Sequence, residues 1–100
     1  MKLFIDTSDR DKIVIGIDEK RFETEAKEGS SQKLLPFLDE VFKKKGNKIE
    51  EVTEIEVNTG PGSFTGLRVG VSVANTLGWV LGIPVNGKNI QKDGPIDINY

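Results

Sequence analysis

Apolar and polar residues alternate with period two along the first quarter of the chain, then switch to helical spacing. Leu3-Phe4-Ile5 is a short apolar run closed by Asp6-Thr7-Ser8-Asp9, whose side chains favour turns, and it predicts a buried strand. Ile13, Ile15 and Ile17 alternate with Val14, Gly16 and Asp18 and predict a second. After the polar break Asp18-Glu19-Lys20, the alternation of Phe22, Thr24 and Ala26 with Arg21, Glu23 and Glu25 predicts a third, more exposed strand. Short polar connections between three such runs specify an antiparallel meander.

Glu28-Gly29-Ser30-Ser31 opens a helix that runs to about Lys45, with Leu34, Leu35, Phe37, Leu38, Val41 and Phe42 on one face. Pro36 belongs near its first turns, since proline breaks a helix interior, and Gly46-Asn47 is its stop signal. Residues Ile49 to Val52 form one loose turn before a strand from Glu54 to Asn58. The Gly-rich loop Thr59-Gly60-Pro61-Gly62-Ser63-Phe64-Thr65 leads into a second helix from about Gly66 to Leu81, ended by Gly82-Ile83-Pro84, and Val85 starts a short last strand. The tail, residues 88–100, is polar and weakly patterned and is expected to be loosely ordered or ordered by a partner, beside a lobe of residues 1–87. The order βββαβαβ predicts an α/β domain, a mixed sheet with helices packed on it.

Composition narrows the chemistry. A chain of 100 residues has the length of one domain. It contains no cysteine and no histidine, which removes disulfides, thiolate sites, and the commonest general base and metal ligand. The formal net charge is −2, so strong direct nucleic-acid binding is not expected. The one basic cluster, Lys43-Lys44-Lys45, falls where it complements a helix C-terminus. No apolar run reaches membrane-spanning length, and the start carries Asp6 too early for a signal-peptide core, so a soluble cytoplasmic protein is expected.

Gly66, Gly70, Ala74, Gly78 and Gly82 recur every four residues and form a ridge almost without side chains along the second helix. Glycine inside a helix costs about 1 kcal/mol relative to alanine, so something must compensate, and close approach of another backbone is the natural candidate. That approach comes either from the chain's own sheet or from a partner. Arg68, Ser72, Asn75 and Thr76 lie on the opposite, polar face, and Trp79 falls among them, as an interface anchor or as a residue covered by the tail. The loop before the helix meets neither generic phosphate pattern: no Gly-Lys-Ser/Thr follows it, and Thr65 stands where a dinucleotide fingerprint needs its third glycine.

As a family signature the same segment is specific. Gly60-Pro61-Gly62-Ser63-Phe64-Thr65-Gly66-Leu67-Arg68-Val69-Gly70 resembles the hallmark of the TsaB family, also called YeaZ. Ile5-Asp6-Thr7-Ser8, Leu34-Leu35-Pro36 with Asp39-Glu40, and Gly82-Ile83-Pro84-Val85 are similar to further family stretches, in the same order over roughly residues 3–87. The resemblance implies a ribonuclease H-like, actin-like ATPase half-domain. It also implies a part in making threonylcarbamoyladenosine in tRNA, as a non-catalytic partner that binds the metal-bearing subunit TsaD through its two helices, with a TsaE-like ATPase joining. Those helices are here roughly Gln32–Lys45 and Gly66–Leu81, and contact is expected from Leu34, Leu38, Val41, Gly66, Gly70, Val73, Ala74 and Leu77, with Phe64 and Arg68 near the loop. TsaD itself carries a histidine pair after the Gly-Ile-Pro stretch, where this chain reads Lys88-Asn89-Ile90-Gln91-Lys92-Asp93. Family members carry a second lobe, and a chain ending at Tyr100 is expected to lack the interlobe nucleotide cleft.

Other readings stay open at this point. The glycine ridge could pair with its own copy in a homodimer. A ribonuclease H-like nuclease would use Asp6 with Asp39 or Glu40 around Mg²⁺, but the fourth strand ends in the neutral Asn58. Asp6 is either a turn former or, as in actin-like ATPases, a residue that holds a nucleotide's Mg²⁺ through water. Neither cofactor nor metal is expected, and Asp6, Gly60, Gly62 and Ser63 are the candidates should a ligand bind.

Overall fold

A computed structural model describes residues 1–27 and 29–99. Strands β1 (Lys2–Asp6), β2 (Lys12–Ile17) and β3 (Lys20–Glu25) form the expected antiparallel meander, with Leu3 opposite Ile17, Ile5 opposite Ile15, and Ile15 opposite Phe22. Helix α1 (Ser30–Lys45) and a 3-10 turn (Ile49–Glu51) lead to β4 (Glu54–Val57), which pairs parallel with β1. Helix α2 (Phe64–Leu81) then crosses to β5 (Pro84–Val85), parallel to β4. A sixth strand, β6 (Lys88–Asn89), and a short helix, α3 (Ile90–Asp93), follow. The sheet order is β3-β2-β1-β4-β5-β6. The mixed α/β sheet read from the sequence is therefore the observed one, with one strand and one helix more.

All inward strand positions belong to one core. Leu3, Ile5, Ile13, Ile15, Ile17, Ile55 and Val57 are buried together with Leu34, Leu38, Val41 and Phe42 of α1 and with Val71 and Ala74 of α2. The β-branched side chains suit a pleated surface covered on one side. Helices lie on that side alone, and the smallest dimension, 21 Å, is that of one sheet and one helix layer. The outward face is polar except around Phe4. That ring sits across from Gly16, whose missing side chain leaves it room, and the Arg21 guanidinium lies 3.9 Å from its centroid.

Local signals explain most element ends. Gly46 ends α1 in the left-handed conformation at φ 71, and the Asn47 N–H donates to the Phe42 carbonyl at 3.0 Å. Lys43 and Lys44 stay exposed, and Lys43 pairs with Asp39 at 3.0 Å. Pro36 lies in the second turn of α1, deeper than a proline prefers. It sits on the solvent side like Gln32, whose carbonyl loses its helical donor there and stays accessible to water. The expected start at Glu28 falls outside the described residues, and α1 opens after Gly29 without a side-chain cap. Helix α2 begins two residues earlier than expected because Ser63 caps it, its Oγ accepting from the Gly66 N–H.

Two further expectations are corrected. Leu35 is not part of the buried face of α1 but is exposed. Residues 88–99 are not loose. Ile90 is buried under α2, Ile96 and Ile98 pack on the core, and the Asn99 N–H donates to the Thr59 carbonyl at 2.7 Å. One asparagine side chain does what a short strand leaves undone. Asn86 bonds both the N–H and the carbonyl of Val57, at 2.8 and 3.0 Å, prolonging the ladder beside the two-residue β5.

Glu51 closes the 3-10 turn by accepting from the Lys48 N–H at 2.8 Å and from Asn47 Nδ2 at 3.1 Å, and these bonds hold its carboxyl below the ordinary value. A depressed acid contributes stability that is present above its unfolded value and lost as pH falls through the folded one. Glu51→Gln therefore lowers the urea midpoint at neutral pH. The gap to the wild type narrows once pH drops below about 4.3, a trend that urea unfolding at a series of pH values will read.

Candidate functional site

The family-like loop and the β1–β2 turn form one hydrogen-bonded unit. Asp6 Oδ1 accepts from the Ser8 N–H at 2.9 Å, from Ser8 Oγ at 2.6 Å and from Asn58 Nδ2 at 3.2 Å. Asn58 Oδ1 in turn accepts from the Gly60 N–H at 2.9 Å. The Ser63 N–H donates to the Ser8 carbonyl at 2.8 Å, and buried Thr7 donates through Oγ1 to the Gly66 carbonyl at 2.5 Å. The candidates Asp6, Gly60, Gly62 and Ser63 are thus brought together. Asp6 does the work of a turn former here, and the N–H groups of Gly60, Ser63, Gly66 and Leu67 all donate within the chain.

The glycines of this segment are required by that contact. A Cβ on Gly62 would lie 2.6 Å from Ser8 Cβ and 2.7 Å from the Ser8 carbonyl oxygen. A Cβ on Gly66 would run into the Thr7 carbonyl, and one on Gly70 into Thr7 Oγ1. Further along, a Cβ on Gly78 would lie 2.5 Å from Val85 Cγ2 and 3.0 Å from Ile90 Cγ1. The ridge faces the chain's own sheet, and the close approach that offsets its helical cost is intramolecular.

The residues expected at a partner surface divide accordingly. Leu34, Leu38, Val41, Gly66, Gly70 and Ala74 are buried within the chain, so in this fold they are core and not surface. Phe64 and Arg68 are exposed, and Val73 and Leu77 are half-buried along the border with α1. The outer surface of the helix pair carries apolar residues of its own: Leu35 is 58% exposed, Phe64 42%, Trp79 57% and Val80 69%. Leu35, Ile49 and Leu77 line one shallow depression between α1 and α2, and Phe64, Val69 and Val73 line a second. Arg68 lies over the Phe64 ring at 5.4 Å. Sequence spacing does not reveal the exposed Leu35 and Val80, because nothing in it sets Leu35 apart from Leu34. Trp79 is not covered by the C-terminal segment, although Gln91 Nε2 donates to its carbonyl at 2.6 Å.

The nuclease constellation does not assemble. Asp39 and Glu40 point to solvent, Asp39 pairs with Lys43, and among the described residues no three acidic side chains gather. No helix of the described residues is long and apolar enough to cross a membrane.

A sheet of this order with helices on its crossings defines a ribonuclease H-like, actin-like lobe, and the comparisons with known proteins make the class specific. The family model described as "TsaD: tRNA N6-adenosine threonylcarbamoyltransferase" matches residues 23–89. That is more than half of the chain, and the chain belongs to this family. Its resemblance to the TsaB, or YeaZ, proteins is upheld as well. The chain is 35% identical over 63 residues to the tRNA threonylcarbamoyladenosine biosynthesis protein TsaB of Bacillus subtilis, a match covering 63% of this chain and 28% of that one. It is 36% identical over 55 residues to the TsaB protein of Haemophilus influenzae, covering 55% and 23%. Similarity to the tRNA N6-adenosine threonylcarbamoyltransferase of Carboxydothermus hydrogenoformans is 37% over 67 residues, covering 67% and 19%. YeaZ from Pseudomonas aeruginosa superposes with a TM-score of 0.71 at 27% identity, covering 84% of this chain and 40% of that structure. The chain thus spans about a quarter of the length of the curated relatives it matches.

Gly66→Ala tests the contact with the β1–β2 turn. In an open helix this change stabilises by about 1 kcal/mol, whereas here the added methyl meets the Thr7 carbonyl. A net loss of about 1–3 kcal/mol is expected in urea unfolding, the cost typical of an overpacked site.

Proposed function

We propose that this chain is a non-catalytic partner subunit of tRNA threonylcarbamoyladenosine formation, docking on a TsaD-like protein through the outer surface of α1 and α2. The observation that carries the reading is the apolar seam of exposed Leu35, Phe64 and Val80 with half-buried Val73 and Leu77 on a chain of this family. Isolated exposed hydrophobes are ordinary, but a seam shared by two adjacent helices and bordered by Arg68 and an exposed Trp79 has the make-up of an interaction patch. Membership alone does not assign catalysis, because the relatives named TsaB and the one named as the transferase both match. The chain itself supplies no histidine for the metal pair that the TsaD resemblance would demand. A TsaE-like ATPase belongs to the same proposed assembly, and the cytoplasm, where tRNA is modified, is its proposed site.

The same seam favours a second reading, self-association as a twofold dimer, since a C2 contact needs one self-complementary apolar patch. Light-scattering mass separates the two when the chain is measured alone and mixed with the TsaD-like protein of the same genome. A stoichiometric heterocomplex is expected. A chain that stays monomeric in the mixture would sink the docking reading, and one that remains a dimer there would favour self-association. The double variant Leu35→Asp/Val80→Asp should weaken the complex at least tenfold without lowering the thermal midpoint, because both side chains are exposed in the monomer.

A further inference from the structure

Segment 95–99 runs extended along the flank of α2 that faces away from α1. Gly94, at φ 85 in the left-handed half of backbone space, turns the chain out of α3 and onto this flank. Ile96 and Ile98 then pack partly buried on the core, while Pro95, Asp97 and Asn99 stay exposed, so the segment alternates as a strand does. Two side chains hold its main chain, Lys88 Nζ donating to the Pro95 carbonyl at 3.2 Å and Asn75 bonding both polar groups of Ile96. Asn75 Nδ2 donates to the Ile96 carbonyl and Asn75 Oδ1 accepts from the Ile96 N–H, both at 3.0 Å. The Asn99 N–H donates to the Thr59 carbonyl at 2.7 Å, fixing the far end beside the Gly-rich loop. Asparagine is a poor helix former, and its position in the middle of α2 makes sense as a main-chain clamp.

We propose that this flank of α2 is a binding groove for an extended peptide with branched aliphatic residues at alternate positions and a polar or acidic residue between them, of which residues 95–99 are the resident, displaceable occupant. On the α2 side the groove presents Phe64, Arg68, Val71, Ser72, Asn75 and Thr76, and an open depression remains between these residues and Pro95, Ile96, Asp97 and Ile98 of the resident segment. Each component has a reading function. Asn75 recognises any peptide unit in register, irrespective of side chain, as Asn86 does at Val57. The partly apolar wall selects the two aliphatic side chains, and Arg68 lines the same groove as Asp97 and favours acidic character at the middle position. The resident holds by few contacts: two half-buried isoleucines and four hydrogen bonds, the fourth from Lys88 Nζ to the Pro95 carbonyl at 3.2 Å. Such a segment opens at a small fraction of the global unfolding free energy. It also competes from an effective concentration of the order of millimolar, so an added peptide meets a groove that is occupied but exchangeable.

The probe is a synthetic peptide with the sequence of residues 94–99, titrated into the full-length chain and followed by NMR at the Asn75 side-chain amide. The wild type should bind it only weakly. Ile96→Asp/Ile98→Asp, which removes the resident side chains and leaves the groove intact, should bind it at least tenfold tighter. Adding Asn75→Ala to that variant should cost about tenfold, the loss of two hydrogen bonds. The proposal is overturned if the double variant binds no better than the wild type, if removing Asn75 changes nothing, or if a peptide with serine in place of both isoleucines binds equally well. Should the double variant lose its fold, the wild type decides the question at millimolar peptide. Shifts at the Asn75 amide with faster exchange of the Asn99 N–H then support displacement, and a silent Asn75 amide refutes it.

Discussion

The contact between the start of α2 and the β1–β2 turn is the constraint from which the rest of the structure follows. Thr7 is fully buried, and its hydroxyl reaches the Gly66 carbonyl while the Ser8 carbonyl receives the Ser63 N–H. Both bonds require the helix backbone to lie nearly on the turn, and only glycine at positions 62, 66 and 70 permits that distance. Interior helical glycines each cost about 1 kcal/mol, and here a buried hydroxyl finds its acceptor in return, which a side chain at Gly66 would prevent. With that end of α2 fixed over β1, its far end is set by Gly78 against Val85 and Ile90. Helix α1 and segment 95–99 then occupy the two flanks of α2.

This arrangement decides what each face of α2 has left for recognition. The small-residue ridge is inside, so the surface available to another molecule is the crest with Phe64, Arg68 and Ser72, the seam with α1, and the flank under residues 95–99. The crest residues border both depressions, so an occupant on either side of α2 shares them. The loop that most clearly marks the family is, in this chain, first a structural device: its polar groups bind the neighbouring turn.

Part of the architecture was legible because its signals are local. The apolar run in residues 3–5, period-two alternation in residues 13–17 and 21–26, helical spacing in residues 34–42, and the stops at Gly46 and Gly82 each depend on a few neighbours in sequence. The start of α2 is equally readable from Ser63, a good capping residue three positions before Gly66. Strand β6, helix α3 and the laid-down segment were not legible. Their residues are polar and brief, and what orders them is the docking of Ile90, Ile96 and Ile98 on a core built by distant elements.

The sequence alone determined the type and order of the main elements, the exclusion of cysteine and histidine chemistry, and the family, through one unbroken run from Gly60 to Gly70. It also pointed to a close approach along α2, since small residues repeated at intervals of four carry a helical cost that tight packing offsets. Which backbone it meets was decided only by the tertiary structure. Spacing specifies that a face is smooth, whereas direction depends on which side of the helix the sheet occupies, and that follows from the packing of Ile5, Thr7 and Val85. For the same reason Leu34 and Leu35, alike in sequence, separate in the fold: one turns to the core and the other to solvent, because a helix rotates about 100° per residue and the sheet lies on one side of it.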